Sequence, residues 1–439
     1  MWNKIRSGSL PVALFLLVII SIILSFLIWT NPARYDRTRL NGAASTGSTH
    51  STVTTRAIDD IFLPTQVVVT NQQGQSETVY NPKINLVTSL KSVVEKWQMS
   101  DFRKISQGDV SAYQRLLNRH GMVQLVYADN IGRGIFNRSY GQKLLMSPTA
   151  KFSRIIFSTH AAGSLYLLND DNQSIYQIHV RKQALSQIRQ LLSKANQRYR
   201  VTEHAANDHT LTYYENSVRI PRYSYLVGKQ SASFFVTSLL NTGESTSVTV
   251  HRTTGHTIYL AGTYKRMTVT NKTGAVQFED YNANQKMTRD LGNNLIKSFN
   301  GLSKTGLPLD TIRYFDNEHN GHQVTYRSFV EGFPIFNQTD FGAVQVKHDH
   351  AGTQEINFTL TNLQVPLPTD STSRVTLPST LTVMSQLAAA GTPASKVKDI
   401  VLGYQWESNS DSNQVVDLQP TYYVYVAGKW QVYTDLLGE

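Results

Sequence analysis

The chain has 439 residues and no cysteine, which excludes disulfides, zinc–thiolate sites, iron–sulfur clusters and a thiol nucleophile, and fits a bacterial extracellular protein better than a eukaryotic one. Its 42 Lys and Arg against 31 Asp and Glu give a net charge of +11, but the basic residues are scattered without interleaved aromatics, so nucleic acid is not an expected partner. The length calls for more than one core, and 22 Tyr with a charged share of only 17% favour strand-rich folded structure over disorder.

Residues 1–9 are short and basic, carrying Lys4 and Arg6. Residues 10–29 follow as LPVALFLLVIISIILSFLIW, without a charge. At 1.5 Å per residue this helix covers about 30 Å, the thickness of a bilayer core. A cleaved signal has a shorter apolar stretch with a small-residue site close behind it. Here Thr30, Asn31, Pro32, Ala33 and Arg34 come next, so an uncleaved anchor is expected. The short N-terminal segment leaves no room for a domain, which puts the N-terminus in the cytoplasm and the bulk of the chain outside the cell membrane. Ser21 and Ser25 are four apart and share one helix face, a small-residue spacing that lets membrane helices approach closely. Serines are also simply tolerated in such spans, so the pair is a candidate contact face. Residues 30–55 read as a linker, Gly-, Ser- and Thr-rich from residue 41.

Order is expected from about Ile58. A strand over 66–70 precedes helices over 86–99 and 110–119, where apolar residues recur at helical spacing. Strands over 122–127, 154–157, 164–168 and 175–179 follow, with a turn at 169–172, and a helix over 183–196 completes an α+β domain at 56–203. Residues 204–285 read as a sheet-rich domain with strands at 210–214, 233–240, 248–252, 257–264, 265–271 and 275–281. Residues 286–439 use one plan twice: a helix at 290–302 with strands at 310–315 and 322–330, then a helix at 382–390 with strands at 398–406 and 415–427. Each second strand is followed by a glycine, Gly332 or Gly428, and an aromatic. The expected fold class is therefore α+β: one transmembrane helix, then antiparallel sheets with flanking helices, ending in a duplicated helix–strand–strand unit.

Chemistry-bearing motifs are sparse. His348 and His350 in VKHDHAG would share one strand face and could ligate zinc, but no third ligand is indicated. Gly132-Arg133-Gly134 is a fragment of a glycine loop with no third glycine and no helix expected after it. Asp170-Asp171 and Glu279-Asp280 read as solvated pairs at turns. No G-x-S-x-G elbow, Walker loop or dinucleotide fingerprint is present. No catalytic, cofactor-binding or metal residue is therefore assigned, although carboxylates from distant loops need no local motif.

Three stretches carry a family resemblance: the opening 36 residues, YRSFVEGFPIF at 326–336, and DIVLGYQW at 399–406 with LQPTYYVYVAGKW at 418–430. Together with the anchor-plus-ectodomain layout they resemble the YycH family. The last pair is also similar to YycI and to a PepSY-like pattern in which a Gly-Tyr strand precedes L-x-P-x-[WY]-x-V, Tyr422 or Tyr423 taking the aromatic slot. The resemblance implies an extracytoplasmic regulator in low-GC Gram-positive bacteria. Its implied partners are a YycI-like protein and the sensor histidine kinase WalK (YycG), whose output it sets to control cell-wall metabolism. It implies no catalysis and no cofactor. The other readings are a wall-associated module that binds anionic polymer or peptide, and a membrane-anchored hydrolase, the latter favoured only by paired carboxylates converging in a deep cleft.

Overall fold

The computed structural model describes residues 56–206, 209–240, 247–336, 339, 341–368 and 373–438. The anchor expected at 10–29, with Ser21 and Ser25, and the linker at 30–55 lie outside the described residues. Among the described residues no helix is long and apolar enough to cross a membrane. What is described is α+β, with mostly antiparallel sheets and flanking helices, as expected.

The first sheet has nine strands and is antiparallel throughout, running from the edge strand Gln98–Ser106 to the opposite edge at His209–Tyr214. Strand alternation gives it two apolar faces. Ile155, Phe157, Leu165 and Leu167 point to one core, while Ile156, Leu168 and Ile175 point to another beneath Tyr113 and Leu117 of the helix Val110–Leu117. The helix Leu86–Val94 begins where the Asn85 side chain accepts from Thr88 N and stops short of the expected 99. Trp97 keeps the helical period but lies beyond the helix end. It turns into the core edge-on to Phe157, with ring centroids 5.1 Å apart, and the chain then enters the edge strand.

The second sheet has fourteen strands. Four hairpin-linked strands from Val248–Arg252 to Ala275–Asp280 join it at Gln354–Thr359. Toward the other end, Val397–Ser408 and Val415–Val426 pair at eleven positions, with Tyr223–Lys229 and Thr361–Pro366 beyond them. The two parts meet at a parallel register, Ile335 opposite Tyr404 and Phe336 opposite Gln405. Residues 233–240, expected as a strand, are instead an α-turn, Ala232–Phe235, running into a π-turn, Val236–Leu240. Ser231 caps it by accepting from Phe234 N, and Phe235, Leu239 and Leu240 are buried. A short apolar run without strict alternation does not distinguish a strand from a buried helical turn.

Gln323–Val330 pairs with the strand before it and the strand after it, and so does Val415–Val426. Each closing hairpin turns on two residues with positive φ: Glu331 at 52° with Gly332 at 88°, and Ala427 at 51° with Gly428 at 81°. That pair of conformations is what a right-twisted two-residue hairpin demands.

The fragment Gly132-Arg133-Gly134 is followed by a helix after all, Arg133–Ser139. This helix crosses Leu291–Lys304 so closely that a Cβ on Gly132 would lie 2.2 Å from Gly292 N, and one on Gly292 would lie 2.6 Å from Gly134 N. Arg133 Nε meets Asp290 Oδ2 at 2.7 Å beside the crossing, and Asp290 also caps its own helix through Asn293 N. One apolar core is continuous across the contact, from Val67 and Ile155 of the first sheet to Tyr326 and Phe358 of the second.

A methyl group at the crossing has nowhere to go without separating two backbones. Gly292→Ala is expected to cost about 2 kcal/mol or more in urea unfolding. Gly255→Ala, where an added Cβ meets nothing within 4 Å, should stay within about 0.5 kcal/mol of the parent. Equal stability of the two variants would remove the steric account.

Candidate functional site: an acidic cleft between the sheets

The strand Met122–Gly132 leaves its ladder between Val126 and Ile131, and Ile312–Glu318 does so between Tyr314 and Asp316. The two irregular stretches lie side by side. A bulge frees side chains from the pleat and re-aims them, and here it turns Asp129 toward the other sheet. Asp129 Oδ2 accepts from Asn317 N at 2.8 Å and Asn317 Nδ2 at 2.7 Å, and Oδ1 accepts from Asn130 N at 2.6 Å. Tyr314 donates its hydroxyl to Asn130 O at 2.7 Å. Above this latch opens a cleft of about 430 Å³, with Asp129, Asn130 and Asp171 on one side and Asp316, Glu318 and Trp430 on the other.

Burial raises the Asp129 carboxyl to about 7, against the Asn130 and Asn317 amides that pull it down; Asp316 and Asp171 add smaller upward pushes. Asp316 is raised by burial despite the nearby Arg327 cation, and Asp171 by burial despite Lys151. Arg327 is held between the Phe315 and Phe336 rings, 4.7 and 4.0 Å from their centroids, and burial lowers it to about 10. A carboxyl near 7 could serve proton transfer. Both Asp129 oxygens are already occupied by donors, however, so its place is structural: it fastens one sheet to the other.

Of the pair Asp170-Asp171, Asp171 is exposed as expected, whereas Asp170 is not solvated. Asp170 accepts from Arg154 Nε at 2.8 Å, from Ser153 Oγ at 2.8 Å and from the Tyr113 hydroxyl. Arg154, 1% exposed, reaches Glu203 at 2.9 Å with its other arm. Asp171 faces the cleft and accepts from Asn130 Nδ2 at 2.8 Å. At the other pair, Glu279 meets Arg266 at 3.8 Å.

His348 and His350 do not share a face. The strand ends at His348, which is buried and sits 2.8 Å from Gln354 Nε2; burial lowers it to about 4. His350 is exposed, its ring 4.8 Å from that of His322. Among the described residues no three metal-ligating side chains come together. Four of the basic residues that are scattered in sequence come together in the fold. Arg198, Arg200, Arg219 and Arg374, from three different strands, surround an open groove that also holds Glu77. One sequence signal could have exposed the cleft: the adjacent polar residues Asp129-Asn130 interrupt a strand that is apolar elsewhere but for Gln124, as a bulge does.

Two family models match the chain, the N-terminal domain of the YycH protein over residues 9–197 and its C-terminal domain over residues 213–437. Among solved structures, YycH from Bacillus subtilis is similar in fold, with a TM-score of 0.70 at 18% identity over 87% of this chain and 98% of that one. An uncharacterized protein from Eubacterium rectale reaches a TM-score of 0.30 at 11% identity, covering 53% of this chain and 88% of that one. No curated protein matches the chain.

The raised carboxyls have a defined pH signature. A group whose folded pKa is raised stays protonated in the fold while the unfolded chain ionises, so stability falls as pH climbs from the ordinary carboxylate range through about 7. His348 acts in the opposite sense, since a depressed histidine loses stability as pH falls below about 6.5. Above that pH the carboxyls act alone. Urea midpoints should therefore fall between pH 6.5 and about 8, with a flatter slope in Asp129→Asn. A parent profile that is flat or rising in this window would overturn the assignment.

Proposed function

The chain belongs to the YycH family, and we propose from that premise that it is a membrane-anchored, extracytoplasmic regulator of a sensor histidine kinase of the WalK/YycG type. The general part, a regulatory protein of that two-component system, follows from family identity. The finer reading adds an anchor at residues 10–29, contact with the kinase, and a YycI-like partner, together modulating the signalling that controls cell-wall metabolism. The observation that carries it is that both family models match and between them leave few residues uncovered.

Such a regulator needs no active centre. A partner that binds one signalling state of a kinase better than another shifts their populations, and about 1.4 kcal/mol of preference moves the ratio tenfold. The helical spacing of Ser21 and Ser25 supplies a face on which membrane helices can approach closely. Replacing both with leucine should lower recovery of kinase and YycI-like protein when the full chain is purified from membranes. Undiminished recovery would remove the face from the mechanism.

A second reading, a wall-associated binding module, is favoured by the arginine groove. Four guanidinium groups against one carboxylate suit a polyanion. Purified cell wall should then retain the protein in the absence of the kinase, and Arg200→Glu with Arg219→Glu should release it. Equal retention of the parent and the double variant would leave the groove without that role.

A further inference from the structure

The acidic cleft holds acceptors that the protein itself does not satisfy. Asn130 is only 3% exposed, and its Nδ2 is committed to Asp171, which fixes the amide orientation. Asn130 Oδ1 is then a buried acceptor with no donor. Asp316 Oδ1 is likewise buried without a closed hydrogen bond, with Thr325 and the Trp430 indole as its polar neighbours. Buried amide and carboxylate oxygens are rarely left this way in a folded protein.

The surroundings select the charge of what could fill the gap. Asp129, Asp170, Asp171, Asp316, Glu318 and Asp399 line the cleft, against Arg154 and Lys398. Arg154 is neutralised by Asp170 and Glu203, which takes Asp170 out of the count as well. Lys151 lies 3.6 Å from Asp171 and Arg327 is near Asp316, and Asp129, Asp171, Asp316, Glu318 and Asp399 still outnumber these cations and Lys398. This excess of carboxylates stands out in a chain whose net charge is +11. One wall is aromatic: the Trp430 ring lies 5.4 Å from that of Phe315 and 5.2 Å from that of Tyr425. Aromatic faces attract organic cations, and Phe315 already holds one guanidinium, that of Arg327, on its face. A bare metal ion would want three or more hard ligands converging, and no such group occurs among the described residues.

We propose that this cleft is a binding site for an organic cation, an alkylammonium or guanidinium group of the kind a lysine or arginine side chain presents. Asn130 Oδ1 and the Asp316 carboxylate accept its N–H groups, Glu318 stands at the mouth, and the Trp430 wall covers its methylene stem. The site is independent of which regulatory partner the protein has.

Calorimetric titration of the full-length protein in detergent tests this with three probes: a capped trilysine peptide, 1,5-diaminopentane, and the same peptide with every amine acetylated. Saturable binding of trilysine, lost on acetylation and weakened at least tenfold by Asp316→Asn, supports the site. Binding of the diamine as well assigns a free amine as a sufficient ligand, whereas binding of the peptide alone assigns a chain segment. Should Asp316→Asn unfold by releasing Arg327, the exposed Glu318→Gln with Trp430→Leu replaces it, with the same tenfold loss expected. Absence of heat with both amines, equal binding of the acetylated peptide, or affinity unchanged in a folded variant overturns the proposal.

Discussion

Three glycines at one helix crossing set the geometry of everything above them. Gly132, Gly134 and Gly292 let the helices Arg133–Ser139 and Leu291–Lys304 touch backbone to backbone. The first helix directly continues the bulged strand that carries Asp129 and Asn130, and the second leads into the strand that carries Tyr314, Asp316 and Asn317. Their separation therefore fixes how the two bulges meet. The Arg133–Asp290 pair lies beside the crossing, where Asp290 also serves the helix N-terminus. A side chain at Gly132 or Gly292 would pry apart the two strands as well as the two helices.

That constraint explains how a carboxylate comes to rest between sheets. Burying an ionised group is costly unless its lone pairs are met by donors. Asp129 receives two backbone N–H groups and the Asn317 amide, all from residues that exist in this arrangement only because both strands are irregular there. The same logic runs through the first sheet, where Arg154 keeps its charge between Asp170 and Glu203 and ties a strand, a turn and the far end of the sheet together. Removing one partner from such a cluster leaves an uncompensated charge, which is worse than never having had the pair. Charge in this protein is thus partitioned: acidic in the cleft, balanced in the core, and basic at the open groove of Arg198, Arg200, Arg219 and Arg374.

What the sequence makes legible is what neighbours along the chain decide. The hairpin series from Val248–Arg252 to Ala275–Asp280 follows from alternation and turn residues, and helix starts follow from the caps Asn85, Asp109, Asp290 and Ser379. What it hides depends on distant residues. Nothing adjacent to Gly132 announces Gly292, and the arginine groove draws on positions 198 to 374. Trp97 and His350 mislead for a related reason: each keeps the local period while the chain has already left the element that the period describes. The cleft was least visible, because its defining feature is a break in pattern, and a break looks like noise until the partner strand supplies the donors.

The motifs that carry the family resemblance gain a physical meaning from the same junction. A Cβ on Gly403 of the Gly-Tyr strand would lie 2.8 Å from Pro334 O and 3.0 Å from the Phe336 ring, so only glycine lets the parallel register of Ile335 with Tyr404 form. Tyr423 of the second motif stacks on Phe336 at 3.7 Å, while Tyr422 donates to Pro378 O at 3.0 Å and faces the other way. The two aromatic slots are therefore not equivalent: Tyr423 secures the junction with the strand Phe333–Phe336, and Tyr422 the side that leads to the helix Thr380–Ala389. Phe329, Gly332 and Pro334, from the first of these motifs, also line the acidic cleft. An occupant of the cleft would press on the very residues that form the junction. A cavity that shares its walls with the motifs at the junction links whatever fills it to the fit of the strands that meet there.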